Sequence, residues 1–594
     1  MLPVREPVPP IRQFRDTLDE LCRSVGALPS PARVHAARGL AHAAIAEFWR
    51  ATCGSHPSFD TDLRAFAGEC HGGDTSQHAL ASELGRHATC FPGHVAAYLL
   101  SSCYSELLPD DVRSRHGIFF TPPPLVERLL DMVEAAGHDW RQGLVLDPAA
   151  GGGAFLAPVA TRIADRLAIE HHCAGEILSE IEARVRGIEL DSFAGWMSHV
   201  LLEIALWDLC VEAERRIRNP IISSDALAAD PALRGRVNLV IGNPPYGRIG
   251  LTPAQRRRFQ RSLYGHANLY GLFFDLAVDL AEAQGTIAFV TPASFLGGQY
   301  FMNLRALLLE HAPPIAIDFV TDRSGVFAGV LQETVLTVAR PSNRARRTTV
   351  SFNRPREIDE PCAIDTAGAF ELPKAGSAPW LLPRKAEQVS LLRSVRKRCT
   401  SIAEYGFKVS TGPLVWNRHK GQLRENDGRR CLPLIWAESI LPDGTFVFAA
   451  DRRNHLPFFE LWEGQEHLIQ REPCILVQRT TAKEQRRRLI ATKLPESFIR
   501  KHSGAVVENH VNVISAVRDP LPVSLDALVA VLNSEVADSL FRCISGSVAV
   551  SAFELQTLPL PRPLAVAAVE SAVRAGASRT AVERSVRFAY GLSS

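Results

Sequence analysis

Seven short apolar runs occupy the middle of the chain from Gly143 onward: GLVLDP, VRGIELD, PIISSDAL, VNLVIGNPP, GTIAFVTP, PIAIDFVTD and ETVLTVAR. Between most of them lie longer stretches whose apolar residues return every three or four positions. Short apolar runs predict strands, and the longer period predicts amphipathic helices. The first five runs are separated by helical stretches, the pattern of a parallel sheet with crossover helices. The last two are joined only by RSGVFAGVLQ. That connection is too short for a helical crossover and predicts an antiparallel hairpin at one sheet edge. The expectation is an α/β fold, a doubly wound Rossmann-like seven-stranded sheet that binds ligands at the C-terminal ends of its strands.

The flanks follow other patterns. Residues 1–110 read as helical, with stretches such as ARVHAARGLAHAAIAEFWRATC. In GIFFTPPPLVERLLDMVEAAG, Thr121 and the prolines precede an amphipathic helix. The sheet region is expected to span 111–345, and the polar, Pro-containing stretch 346–384 reads as a linker. Residues 385–594 carry short strands and turns (GFKVSTGPLVW, CILVQRT, NHVNVISAV) and then the helix SLDALVAVLNSEVADSLFRCIS, a mixed α+β region. A chain of 594 residues is too long for one core, so several domains are expected.

Composition narrows the class. Hydrophobic residues make up 46% and charged residues 22%, the balance of an ordinary globular chain. The opening MLPVREPVPPIRQF lacks the apolar segment of a secretory signal. No stretch approaches the roughly 20 apolar residues of a membrane span. A cytoplasmic protein without a membrane partner is expected. The 12 cysteines are scattered without metal-ligand spacing and read as reduced thiols. His171, His172 and Cys173 read as a solvated helix face, and no metal is expected. The net charge of +2 conceals an uneven spread: from Arg384 to Lys501 basic residues exceed acidic ones by about ten. That segment suits a polyanion contact, although a solvated basic face has the same composition.

Three strand ends carry carboxylates. In LVLDPAAGGGAFLAPVATRIADRL, Asp147 and Pro148 end a strand, and Ala149 leads into a glycine turn (Gly151, Gly152, Gly153) before a helix. Such a turn lets backbone approach a ligand at a helix N-terminus. Asp147 would repel pyrophosphate and attract a cationic group. Glu189 ends the second strand, where a carboxylate suits ribose hydroxyls. Asp225, followed by Ala226, ends the third and suits an adenine amino group. Together they describe a site for a nucleoside carrying a cationic amino acid, S-adenosylmethionine.

The fourth strand ends in LVIGNPPYGRIG, a rigid corner of Asn243, Pro244, Pro245 and Tyr246. DPAAGGGAFL, GIELD, SDAL and NPPY, in that order, resemble the γ-class DNA adenine-N6 methyltransferases of bacterial restriction–modification and related phage-defence systems. FFTPPPLVERLLDMV, NLYGLFFDLAVDL and IAFVTPASFL resemble further family segments. The resemblance covers about 110–565.

That resemblance implies a site-specific enzyme acting on a flipped-out adenine of double-stranded DNA. Asn243 and the Pro244 carbonyl would accept from its amino group. Tyr246 and Phe327 would stack on the base, Thr121 would help hold the cofactor, and Leu190 and Phe273 would pack on the cofactor adenine. It also implies a C-terminal recognition domain, with Trp416, Arg418, Lys420, Arg479, Lys483, Arg486, Arg487 and Arg488 as DNA-contact candidates. A cognate restriction endonuclease or defence-system subunits are the implied protein partners. Other readings compatible with NPPY are methylation of a protein glutamine or an RNA adenine. A DNA-binding defence-complex subunit without independent activity is a further one.

Overall fold

Short aliphatic strands form where the apolar runs stand, and they order the middle of the chain. The structure is a computed structural model. It describes residues 10–54, 73–116, 120–228, 231–321, 333–341, 346–395, 398–481, 485–545 and 549–592. Val145–Asp147 (β1), Val185–Glu189 (β2), Ile221–Ser223 (β3) and Val237–Gly242 (β4) are joined in parallel, β1 pairing with both β2 and β4, and β2 with β3. Arg248–Ile249 (β5) and Ala267–Asn268 (β6) make a separate two-stranded ladder. The main sheet continues through Ala281–Pro292 (β7), Pro314–Val320 (β8), Thr334–Ala339 (β9), Arg347–Arg354 (β10) and Ala363–Glu371 (β11). Its order is β11-β10-β8-β9-β7-β4-β1-β2-β3.

All seven apolar runs are strands of this sheet, and β8 and β9 pair antiparallel as their short connection requires. Two expectations are corrected. That hairpin is not an edge, because β9 lies between β7 and β8 and β10 pairs in parallel with the far side of β8. The stretch read as a linker supplies β10 and β11. In β10, Thr348, Val350 and Phe352 are buried while Arg347 and Thr349 are exposed. Such alternation marks a half-buried strand, but polar residues occupy several of its inward positions and mask it.

Helices precede and flank the sheet. Pro10–Val25 (α1), Ser30–Cys53 (α2), Thr75–Ala88 (α3) and Gly93–Leu107 (α4) pack around Leu18, Leu40, Phe48, Leu84 and Leu99. Asp110–His116 (α5) follows, and then Pro123–Ala135 (α6), which starts with proline where the missing N–H costs nothing. Leu156–Ile169 (α7), Ala174–Arg184 (α8) and Ser192–Ala205 (α9) carry the crossovers. On α9, Phe193, Met197 and Leu201 belong to the same core as the first four helices. The N-terminal helices are therefore continuous with the sheet region. Burying side chains of this size contributes about 1.5–3 kcal/mol each.

The chain divides into two compact units, one of residues 1–292 and 306–371 and one of residues 293–305 and 372–594. In the second unit one sheet joins Phe407–Thr411, Val511–Ala516, Cys474–Gln478 and Ala491–Leu494. A five-stranded sheet is centred on Cys431–Ile435. Arg305 is fully buried there and donates to the carbonyls of Phe295 (2.8 Å), Gly298 (2.7 Å), Ser377 (2.7 Å) and Ala378 (3.0 Å). These bonds bind segment 293–305 to the rest of its unit.

Candidate active site

A cavity of about 270 Å³ opens at the C-terminal ends of the parallel strands. The turn after β1 forms one wall, with Pro148, Ala149 and Gly151 lining it. Gly151 and Gly153 take φ of +52° and +82°, values that side chains with a Cβ disfavour. Only Gly151 faces the cavity. A Cβ on Gly153 would meet Ser198 Oγ at 2.7 Å and its Cα at 3.1 Å, so that glycine lets the turn pack on α9. Its place is behind the turn, beside Thr121 in an adjoining small pocket.

Asp147 lies beneath this wall, 1% exposed, and is not a lining residue. Its Oδ1 accepts from Ala149 N at 3.0 Å, while the buried Oδ2 has no partner. A Cβ on Gly242 would sit 2.5 Å from Oδ1, so the strand carrying the Asn-Pro-Pro-Tyr corner has to be glycine at that point. Burial pushes the Asp147 carboxyl up to about 8, with Glu189 adding to the rise.

Glu189 lines the cavity with both oxygens oriented by backbone donors: Gly151 N at 2.8 Å on Oε2 and Asp191 N at 2.9 Å on Oε1. Each carboxylate oxygen has two lone pairs, so acceptor capacity remains for hydroxyls. Burial pushes its carboxyl up, against the downward pull of these N–H donors. Leu190 is 66% exposed at the rim, and Asp191 beside it also lines the cavity. Asp225 is exposed, accepts from Leu227 N at 2.9 Å, and lines the cavity with the buried Ala226. Buried Thr121 and Phe273, the latter on Leu269–Leu280, complete the expected set.

The corner forms the adjoining wall, where Asn243 and Pro245 are lining residues and Pro244 is buried. Tyr246 donates to Asn243 Oδ1 at 2.6 Å, with Val290 O a longer second acceptor at 3.3 Å. Desolvation pushes its phenol upward, so it stays a proton donor. Its ring meets Tyr270 edge-on at 6.1 Å. Phe327 lies outside the described residues.

These residues fit S-adenosylmethionine. An orphaned carboxylate oxygen lies under the floor, three further carboxylates face the cavity, and apolar Leu190 and Phe273 flank it. Such a wall favours a cation with hydroxyls and a flat base and opposes pyrophosphate.

In the second unit the candidate DNA contacts divide. Arg418, Lys420 and Arg486 are exposed. Trp416 is half-buried, packed on Trp436 at 6.0 Å and His455 at 6.2 Å, with the Lys420 ammonium 5.7 Å from its ring centre. Arg479 and Arg487 are half-buried, and Arg479 donates to Asn509 O at 2.9 Å. Lys483 lies outside the described residues. Arg488 is corrected: it is 2% exposed, donates from Nε to Thr481 Oγ1 at 3.0 Å, and its backbone N–H bonds Asp538. The basic run turns inward there because Leu489 and Ile490 follow into the core.

Sequence reasoning missed the strap between β5 and β6. Gln255 of the strap lines the cavity beside Ile249 of β5, and Arg256 and Arg257 are exposed on Pro253–Arg258. The run QRRRFQR next to NPPY was the available signal.

Residues 209–327 match the Eco57I restriction-modification methylase family model. The Type II methyltransferase M.BsuBI of Bacillus subtilis is 26% identical over 391 residues, covering 63% of this chain and 70% of that protein. M.PstI of Providencia stuartii, also a Type II methyltransferase, is 25% identical over 375 residues, covering 60% and 73%. Among solved structures, the Type IIL restriction-modification enzyme MmeI in complex with DNA shares the fold. Its TM-score is 0.55 at 13% identity, covering 100% of this chain and 97% of that one.

Proposed function

From the premise that this chain carries an Eco57I-type restriction-modification methylase domain, we propose that it methylates N6 of adenine in double-stranded DNA, using S-adenosylmethionine. The observation that carries the reading is the shared cavity: Asn243 and Pro245 line the same space as Glu189 and Asp225. A planar amino group and a nucleoside cofactor can meet there. The role fits the modification component of a restriction–modification or phage-defence system, acting with a cognate endonuclease or partner subunits.

When bound, S-adenosylmethionine supplies an electrophilic methyl on a cationic sulfur. Asp147, Glu189 and Asp225 would hold its ammonium group, ribose and adenine, with Leu190 and Phe273 against the base. The rest of the chemistry lies with the corner. An adenine amino nitrogen is a poor nucleophile because its lone pair is delocalised into the ring. Asn243 Oδ1 and the Pro244 carbonyl accept its two N–H bonds, draw the nitrogen toward tetrahedral geometry and localise the lone pair. Pro244 and Pro245 fix the backbone, so the acceptors need little reorganisation. The Tyr246 hydroxyl sets which way the Asn243 amide faces, and the second lone pair of Oδ1 stays available to the substrate.

The target base has to leave the duplex to reach this corner. Tyr246 and Phe327 are the side chains assigned to stack on it. Arg418, Lys420 and Arg486 on the second unit, with Arg256 and Arg257 beside the cavity, suit phosphate contacts that position the protein. Incubating the purified chain with methyl-labelled S-adenosylmethionine and duplex DNA tests the proposal. Label in DNA that disappears with Asn243→Ala supports it, and label confined to protein or RNA overturns it.

A further inference from the structure

The helices before the sheet lie outside the matched stretch 209–327, yet two of their side chains reach the cavity wall. Asp191, which lines the cavity, is held from two sides. Arg38 Nη2 of α2 lies 3.0 Å from its Oδ1, and the Tyr104 hydroxyl of α4 donates to its Oδ2 at 2.7 Å. Tyr104 is 1% exposed and its ring packs against Phe193 at 4.9 Å. Burial, with Asp191 beside it, pushes its phenol upward, so the hydroxyl stays protonated and donates. Asp191 also caps α9, accepting from Phe193 N at 3.1 Å.

The held residue is directly coupled to the ribose acid. Asp191 N donates to Glu189 Oε1 at 2.9 Å, and the other oxygen of Glu189 takes Gly151 N at 2.8 Å. Three hydrogen-bonded links therefore run from the N-terminal helices to Asp191, to Glu189, and to the glycine turn. Every member is buried or partly buried, where such bonds are stronger than in water. The Asp191 carboxylate cannot swing without giving up a charge-assisted bond and a buried phenol bond.

We propose that Arg38 and Tyr104 are positioning residues of the cofactor site, fixing Glu189 through Asp191. The N-terminal helices are on this view a working part of the methyl-donor site. The inference rests on the proposed function, since it assigns Glu189 to the cofactor ribose.

The test uses the full chain and compares Tyr104→Phe, Arg38→Lys and Arg38→Gln with the wild type. Arg15→Gln serves as a control, because it breaks a pair with Glu106 (2.9 Å) in the same helices but away from the cavity. S-adenosylmethionine binding is measured by calorimetry, and kcat and KM by methyl transfer. Losing a partly buried bond to a charged group is expected to raise the Kd and KM for S-adenosylmethionine about 10-fold in Tyr104→Phe and Arg38→Gln. Arg38→Lys should recover part of that loss. At saturating cofactor, kcat and DNA affinity should stay within about twofold of wild type, and Arg15→Gln should leave all four unchanged.

An unchanged KM in the two variants overturns the inference. So does a parallel fall in kcat, DNA affinity and thermal midpoint, which would mean the helices only support the fold. Failure of the wild type itself to bind S-adenosylmethionine would instead overturn the proposed function.

Discussion

Removing one oxygen atom, in Tyr246→Phe, separates two jobs assigned to that side chain. The ring can stack on a flipped base, and the hydroxyl holds Asn243 Oδ1 at 2.6 Å. Phenylalanine keeps the ring and loses the bond. A net intramolecular hydrogen bond contributes about 0.5–1.5 kcal/mol, and 1.36 kcal/mol is tenfold in rate. If that bond sets the amide for the transition state, kcat should fall about 2- to 13-fold while KM for DNA stays put. Tyr246→Ala should add the loss of base stacking, about 1–3 kcal/mol, and that part should appear in DNA affinity and base flipping. Single-turnover methyl transfer, with cofactor and DNA both saturating, reads the chemical step. A Tyr246→Phe rate equal to or above wild type would refute the reasoning. An increased rate would mean the hydroxyl blocks Asn243 until the base displaces it.

Three further outcomes are expected. Asn243→Ala should abolish transfer and leave S-adenosylmethionine affinity within about twofold by calorimetry, since the residue acts on the substrate amino group; equal loss of both would remove the division of roles. For Asp147, burial holds the folded carboxyl at about 8, above its unfolded value. The stability it contributes is full at low pH and is lost as pH rises toward 8. The melting-temperature advantage of cofactor-free Asp147→Asn over wild type should therefore widen from pH 5 to pH 8, while its cofactor affinity falls. A constant advantage would show that the carboxyl ionises normally. The doubly substituted Arg256→Gln, Arg257→Gln chain should flatten the dependence of log DNA affinity on log salt by about 1.8, at about 0.9 per lost phosphate contact. An unaltered slope would exclude the strap from the DNA surface.

Much of this site was legible because strand periodicity is a local signal. Once the apolar runs are placed in register, Asp147, Glu189, Asp225 and Asn243 fall at the ends of consecutive strands without further information. What escaped depends on distance or burial. Arg38 and Tyr104 lie 153 and 87 residues from Asp191, so no sequence window contains the cluster. Strand β10 escaped because Thr348, Ser351 and Asn353 occupy buried positions where an apolar residue would have given the pattern away, and β11 because it buries only Ala367 and Phe370. Arg488 was misplaced because a run of like charge reads as surface, whereas its backbone and side chain serve Asp538 and Thr481. Tyr246 shows a subtler limit: the motif predicts a ring for stacking, and only geometry reveals the hydroxyl on Asn243.

The identity of the methylated atom decides between an adenine methyltransferase and every other reading of this site. Duplex DNA treated with the purified chain and isotopically labelled S-adenosylmethionine can be digested to nucleosides and resolved by mass spectrometry. The labelled methyl is expected in N6-methyladenine alone and is lost with Asn243→Ala. Labelled N4-methylcytosine or 5-methylcytosine, or unlabelled DNA beside labelled protein or RNA, would contradict it.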